Sequence, residues 1–167
     1  MKTLIIIRHA KSSHDIEFVD DINRQLNKRG LAEAELMSIQ LAKKGFKVDR
    51  IISSPALRAI STALIFAPVI KAGYDKISID SQLYLQGTSG ILKVIKNQPH
   101  NCNCLLLTGH NPDLHNLVNM LSNTMIDNFP TTAIAIINID INHWTDINQT
   151  KGNLNALLLP EQFRVEP

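Results

Sequence analysis

Cysteine is nearly absent from this chain of 167 residues, with only Cys102 and Cys104 present. A bridge between residues so close would close a tiny loop and staple nothing. As a ligand pair they are half of a structural zinc set, with no second pair to complete it. Both are expected as reduced, packed thiols in a cytoplasmic protein. Aromatic residues make up 5%, too few for a base-stacking surface. The formal net charge of +2, with histidine neutral, is too small to argue for nucleic acid. No apolar run approaches the ~20 residues of a membrane span. The short run behind Met1-Lys2-Thr3 lacks the length and the cleavage site of a secretion signal. Nucleic-acid and membrane partners are therefore not expected. The chain also has no repeat, linker or low-complexity tract.

What it does have is an ordinary core composition, 44% hydrophobic and 19% charged, suited to one domain over residues 1–167. Short β-branched runs alternate with helical patterns, the signature of α/β with a largely parallel sheet. Strands are expected at residues 3–7, 50–53, 77–80, 104–107, 133–141 and 153–159, the last two as an antiparallel pair. A helix starts at Asn27, a good N-cap, with Leu31, Ala34, Ser38, Leu41 and Ala42 on one face and Lys43-Lys44-Gly45 as its stop. A second helix follows Ser54-Pro55, read as N-cap and first helical position, with Leu57, Ile60, Ala63 and Leu64 inward and an end or kink at Pro68. Ile91, Leu92 and Ile95 mark a short third helix. A fourth follows Asn111-Pro112 and runs to about Leu121.

Arg8-His9-Ala10 sits at the end of the apolar run Leu4-Ile5-Ile6-Ile7. Ligands of open α/β sheets bind at such strand ends. A solvated Arg-His turn would leave the same tripeptide, so other residues must decide. Two later segments, around Ile52-Ser53-Ser54-Pro55 and Thr108-Gly109-His110-Asn111-Pro112, share one plan: strand, short turn, cap, proline, helix. Each aims a helix N-terminus, which favours anions, at the same sheet edge. Arg58 lies in the first turn after one, and His110 in the turn before the other. Arg8, Arg58, His9 and His110 together describe a pocket for a compact, multiply charged anion, and a phosphoryl group fits best. Arginine grips two oxygens at once. Histidine is a covalent nucleophile when neutral, and neighbouring cations keep it so. His110 would donate a further hydrogen bond. Arg24, in a polar loop, is less telling. His14, His100, His115 and His143 have no comparable placement. His14-Asp15 and Asp20-Asp21 lack metal-ligand spacing, and Gly87-Thr88-Ser89-Gly90 lacks the lysine and the preceding strand of a P-loop.

These segments resemble the histidine phosphatase (phosphoglycerate-mutase-like) superfamily, in particular its small SixA-type phosphohistidine phosphatase branch. The resemblance rests on Arg8-His9-Ala10-Lys11-Ser12, on Arg24-Gln25-Leu26-Asn27-Lys28-Arg29-Gly30, and on Ser53-Ser54-Pro55-Ala56-Leu57-Arg58-Ala59 with Thr62. Leu83-Tyr84 and Gly109-His110-Asn111-Pro112 complete it. It implies a three-layer α/β/α sandwich with a mostly parallel central sheet and an antiparallel C-terminal edge. It implies His9 as the phosphorylated nucleophile, Arg8, Arg58 and His110 as phosphoryl binders, and Arg24 as a further phosphate contact. No metal or other cofactor would be needed. The partner would be a protein bearing phosphohistidine, for example a phosphotransfer domain, and the enzyme a cytoplasmic monomer.

Two departures stand out. Gln25 replaces the branch's usual proline. Leu85-Gln86-Gly87-Thr88-Ser89-Gly90 carries no carboxylate where mutase-like members place a proton donor, and Asp80 is the nearest. An alkoxide leaving group needs a general acid, whereas the nitrogen of a phosphohistidine leaves more readily with a solvent proton. The short chain also leaves little room for a capping insertion over the site. The favoured expectation is a phosphohistidine phosphatase acting through phospho-His9. A phosphatase of a small phosphomonoester by the same mechanism, or a non-catalytic phosphate-binding module, are the alternatives. A mutase, which wants an acid, fits least.

Overall fold

A computed structural model of the chain describes residues 1–13, 19–148 and 150–164. His14 and Asp15, weighed above as metal ligands, and the tail residues Val165, Glu166 and Pro167 lie outside the described residues. In chain order the elements are β1 (Lys2–Arg8), α1 (Lys28–Ala42), β2 (Arg50–Ser53), α2 (Leu57–Val69), β3 (Ile77–Ile79), α3 (Gly87–Lys96), β4 (Cys104–Gly109), α4 (Asp113–Leu121), β5 (Ile134–Ile139) and β6 (Asn153–Leu158). The strands form one sheet in the order β3-β2-β4-β1-β5-β6. The β1–β4, β2–β4 and β2–β3 pairs are parallel, and β5 runs antiparallel to both of its neighbours. This is the α/β architecture expected, with its antiparallel C-terminal edge.

The period-2 alternation of a strand buried on both faces builds two cores. Leu4 and Ile6 of β1 pack on one face with Ile91, Val94 and Ile95 of α3 and Leu114, Leu117 and Val118 of α4. Ile5 and Ile7 pack on the other face with Ala34, Met37 and Leu41 of α1 and Ala63, Phe66 and Ala67 of α2. Helices thus cover both sides, giving three layers. The inward faces of α1 and α2 follow expectation at Ala34, Ser38, Leu41 and Ala63, which are buried, and depart from it at two leucines. Leu31 and Leu64 are exposed, while Gly30, Ala34, Ala59, Thr62 and Ala63 are buried. Small residues let the helix backbones approach the sheet and the loops beside it. A Cβ on Gly30 would stand 2.0 Å from the carbonyl oxygen of Lys11.

The α1 boundaries follow their signals. Asn27 Oδ1 accepts from the Gly30 N–H at 2.8 Å, and Gly45 takes a left-handed φ of 72° just past the helix. At α2 and α4 the expected caps do not form. Ala56 and Pro112 stand at the N-cap positions, neither with a side-chain cap bond. Ser54 Oγ divides between the Ala56 N–H, at 3.3 Å, and His110, and the Asn111 side chain is turned to the carbonyl of Phe129. Pro68 lies inside the last turn of α2, which ends one residue later.

Strand order places the site. From β1 the chain leaves through α1 for β2, while from β4 it leaves through α4 for β5 on the opposite side. β1 and β4 are nevertheless neighbours, with Arg8 opposite Gly109. Loops that diverge from adjacent strand ends open a crevice between them.

Candidate active site

His9 and His110 leave the ends of β1 and β4, and Arg58 rises from the first turn of α2. His9 is 8% exposed, His110 6% and Arg58 4%. The two imidazole centroids are 5.0 Å apart, and the arginine lies between them. Arg58 Nε donates to His9 Nε2 at 3.3 Å, and Arg58 Nη2 donates to His110 Nδ1 at 3.3 Å. The sequence-predicted set therefore comes together at one sheet edge.

Partners that can only donate or only accept fix the ring protons. The carbonyl of Ala10, 2.8 Å from His9 Nδ1, must receive an N–H. That leaves Nε2 with its lone pair, directed at the Arg58 Nε–H. At His110 the roles reverse. Arg58 can only donate, so Nδ1 accepts, and the proton sits on Nε2, 2.7 Å from Ser54 Oγ. Burial is the main cause that brings the His9 pKa down to about 3. The acceptor Ala10 pulls against it, and the charges of His110, Arg58 and Arg8 add to the depression. Burial followed by Arg58 brings His110 down to about 4. Both rings are neutral at pH 7, and His9 presents an unprotonated nitrogen.

The His9 backbone is held from three sides. Its N–H donates to Gly109 O at 3.0 Å, and Thr132 N–H approaches the carbonyls of Arg8 and His9 at 3.0 and 3.3 Å. Thr132 adopts a φ of 65°, a strained choice for a buried β-branched residue, and one that brings its N–H to that peptide. Ala10 N–H donates to Thr62 Oγ1 at 3.0 Å, whose hydroxyl donates to Arg58 O at 2.7 Å. The nucleophile loop and the arginine helix are thus tied to each other.

Arg8 stands at the rim, with Nη1 donating to Phe129 O at 3.1 Å. Its charge acts on both histidines. Arg24 is directed at a carboxylate: it meets Asp21 Oδ1 through Nε at 3.0 Å and Nη2 at 2.9 Å. Asp21 is the residue that sequence reasoning missed. Its Oδ2 accepts from Arg58 Nη2 at 3.0 Å and from the Tyr84 hydroxyl at 2.7 Å. Burial raises the Asp21 carboxyl, but Tyr84, Arg58 and Arg24 outweigh it and bring it to about 2. Tyr84 lies edge-on to His110, centroids 5.5 Å apart. Ser54, read as a cap, turns out to face the His110 Nε2–H that Arg58 leaves on the ring, and accepts from it. Asp80 is not at this cluster; it caps its own turn by accepting from Gln82 N–H. Cys102 and Cys104 are free and buried, and burial pushes the Cys104 thiol up to about 12. Among the described residues no three His, Cys, Asp or Glu side chains are placed to hold a metal ion, and no helix is long and apolar enough to cross a membrane.

A buried neutral imidazole backed by cationic forks suits nucleophilic attack on a phosphoryl group. Comparisons with known proteins bear on family likeness and fold. Residues 4–83 match the family model of the histidine phosphatase superfamily, branch 1, a span that includes Arg8, His9, Arg24 and Arg58 and stops before His110. An uncharacterised protein of Mycobacterium leprae is 27% identical over 92% of this chain and 99% of its own. Among solved structures, a candidate SixA phosphohistidine phosphatase from Agrobacterium tumefaciens superposes with a TM-score of 0.80 at 24% identity, covering 95% of this chain and 98% of that one. The protein histidine phosphatase SixA in complex with tungstate gives 0.77 at 21%, covering 97% and 99%. At these identities the structural likeness is one of fold.

Proposed function

We propose that the chain is a histidine phosphatase, the superfamily whose branch 1 model matches residues 4–83, and that it removes phosphate from phosphohistidine on a protein through a covalent phospho-His9. The observation that carries this is the fixed His9 ring. With Nδ1–H spent on Ala10 O, the Nε2 lone pair is left facing Arg58.

In the first step the Arg58 Nε–H, which meets the Nε2 lone pair in the empty site, turns to a phosphoryl oxygen, and Nε2 attacks phosphorus in line. The P–N bond of the substrate breaks, and its electron pair stays on the leaving imidazole, which takes a proton from solvent. In the second step water attacks phospho-His9. The new P–O bond forms, the P–N bond to His9 breaks, and the lone pair returns to Nε2 as inorganic phosphate is released. Arg58 and Arg8 stabilise charge spread over the phosphoryl oxygens in both transition states. His110 has no proton on Nδ1 in the empty site. A bound phosphoryl dianion raises its pKa, so the ring can take a proton there and donate to a phosphoryl oxygen.

Asp21 favours a nitrogen leaving group. Held ionised at about 2 by Tyr84 and two arginines, it has no proton to give an alkoxide at neutral pH. The small-phosphomonoester alternative would need another acid.

The test is phosphate release from a phosphohistidine protein in the presence of EDTA, with rapid alkaline trapping of the enzyme. The expected outcome is turnover, with acid-labile phosphate on the wild type and none on His9→Ala. Loss of turnover in EDTA, or equal turnover by His9→Ala, would refute it. Far greater activity on p-nitrophenyl phosphate would shift the substrate to a phosphomonoester.

A further inference from the structure

The pocket already holds an anion, and that anion belongs to the chain. Asp21 begins the 3-10 turn Asp21–Asn23, and both of its carboxylate oxygens are taken. Oδ2 receives Arg58 Nη2 and the Tyr84 hydroxyl, and Oδ1 receives Arg24. The Asp21 backbone carbonyl takes Arg58 Nη1 as well, at 2.6 Å. Two guanidinium forks and a phenol around one oxyanion are a donor set that a phosphoryl group would also seek. A phosphoryl group at His9 would compete with the carboxylate for these donors, since the Nη2 that reaches Asp21 also faces His110 on the nucleophile side.

Of the two partners, the arginine is the buried one. Arg58 is 4% exposed and bonded to both histidines, whereas the Asp21 side chain is 52% exposed. Moving the carboxylate outward returns it to water at little desolvation cost.

Resting on the phosphatase reading above, we infer that Asp21 is a resident counter-anion that yields to the substrate's phosphoryl group. Tyr84 is then a further substrate-binding residue, its hydroxyl passing from Asp21 to a phosphoryl oxygen together with Arg58 Nη2. After hydrolysis the returning carboxylate competes with inorganic phosphate for the same donors, which keeps product affinity low. Asp21 therefore sets how tightly the site holds any tetrahedral oxyanion.

The probes are tungstate and inorganic phosphate, titrated by calorimetry, and neither needs turnover. Asp21→Asn keeps the shape and an acceptor but removes the charge. It is expected to bind tungstate about tenfold tighter than the wild type, the size of a screened charge–charge term at a half-exposed site. The inhibition constant of inorganic phosphate should fall alike. Asp21→Ser serves as a second variant with the same expectation. In the Asp21→Asn background, Tyr84→Phe should weaken tungstate binding about threefold to tenfold, the worth of one hydrogen bond. Tungstate binding by Asp21→Asn that equals or falls below that of the wild type overturns the inference. An unchanged affinity in the double variant overturns the role given to Tyr84. If neither wild type nor Asp21→Asn binds tungstate, the phosphoryl-pocket reading itself fails.

Discussion

Protonating the two active-site histidines should cost this protein much of its stability. His9 is brought from 6.5 to about 3 and His110 to about 4, each chiefly by burial. The native state therefore binds fewer protons than the unfolded chain between pH 6.5 and 4. Stability is fully present above pH 6.5 and declines as pH falls through that window. One pKa unit is worth about 1.4 kcal/mol per group. From pH 7 to pH 5 the two rings together then lose about 3 to 4 kcal/mol, a large part of the usual 5–15 kcal/mol. Urea unfolding at pH 7, 6 and 5 measures this, with the slope of free energy against urea checked for constancy. His9→Gln and His110→Gln should each remove about half of the loss, whatever they do to stability at pH 7. A pH dependence unchanged in both variants would refute the assignment of these rings as buried and neutral.

Two further outcomes follow from single contacts. Ser54→Ala removes the acceptor of a buried His110 N–H. It should lower stability by about 1 to 3 kcal/mol and reduce kcat on a phosphohistidine protein more than it raises KM, read by urea unfolding and steady-state kinetics. Gly30→Ala places a methyl 2.0 Å from the Lys11 carbonyl oxygen. It should lower Tm by several degrees, as about 1 to 3 kcal/mol of overpacking does in a small domain, and an unchanged Tm would show that this loop can move aside.

Strands and their order of types were legible because β-branched runs buried on both faces have few alternatives. The inward faces of α1 and α2 were legible in part: Ala34, Ser38, Leu41 and Ala63 are buried as expected, while Leu31 and Leu64 are exposed. Hydropathy favours Leu31 and Leu64, yet the sheet wants close approach, which Ala34, Ala63 and Ala67 permit. Capping misled in a related way. Ser54 and Asn111 are good cap residues by type, but the Ser54 hydroxyl divides between the Ala56 N–H and His110, and the Asn111 amide is turned to the Phe129 carbonyl. Local preference loses where a buried polar group offers a stronger contact.

The site divides along the same line. His9, Arg58 and His110 were readable because each stands within a few residues of a strand's C-terminal end, and the topology carries those ends to one edge. Asp21 stands in an irregular loop and meets Arg58, 37 residues away, only in the fold. Its one signal was an opposite charge three residues before Arg24. Its discovery changes the electrostatic balance of the pocket. Sequence reasoning assigned the neutrality of His9 to nearby cations. Burial is the larger cause, and the His110, Arg58 and Arg8 contributions come after it. With Asp21 pairing Arg58 and Arg24, part of the cationic charge is already compensated in the empty site. On the inference above, these arginines exchange the carboxylate for the phosphoryl group only as the substrate enters. A ring kept neutral chiefly by burial stays neutral whether or not that anion is present, which is the state the proposed attack by His9 requires.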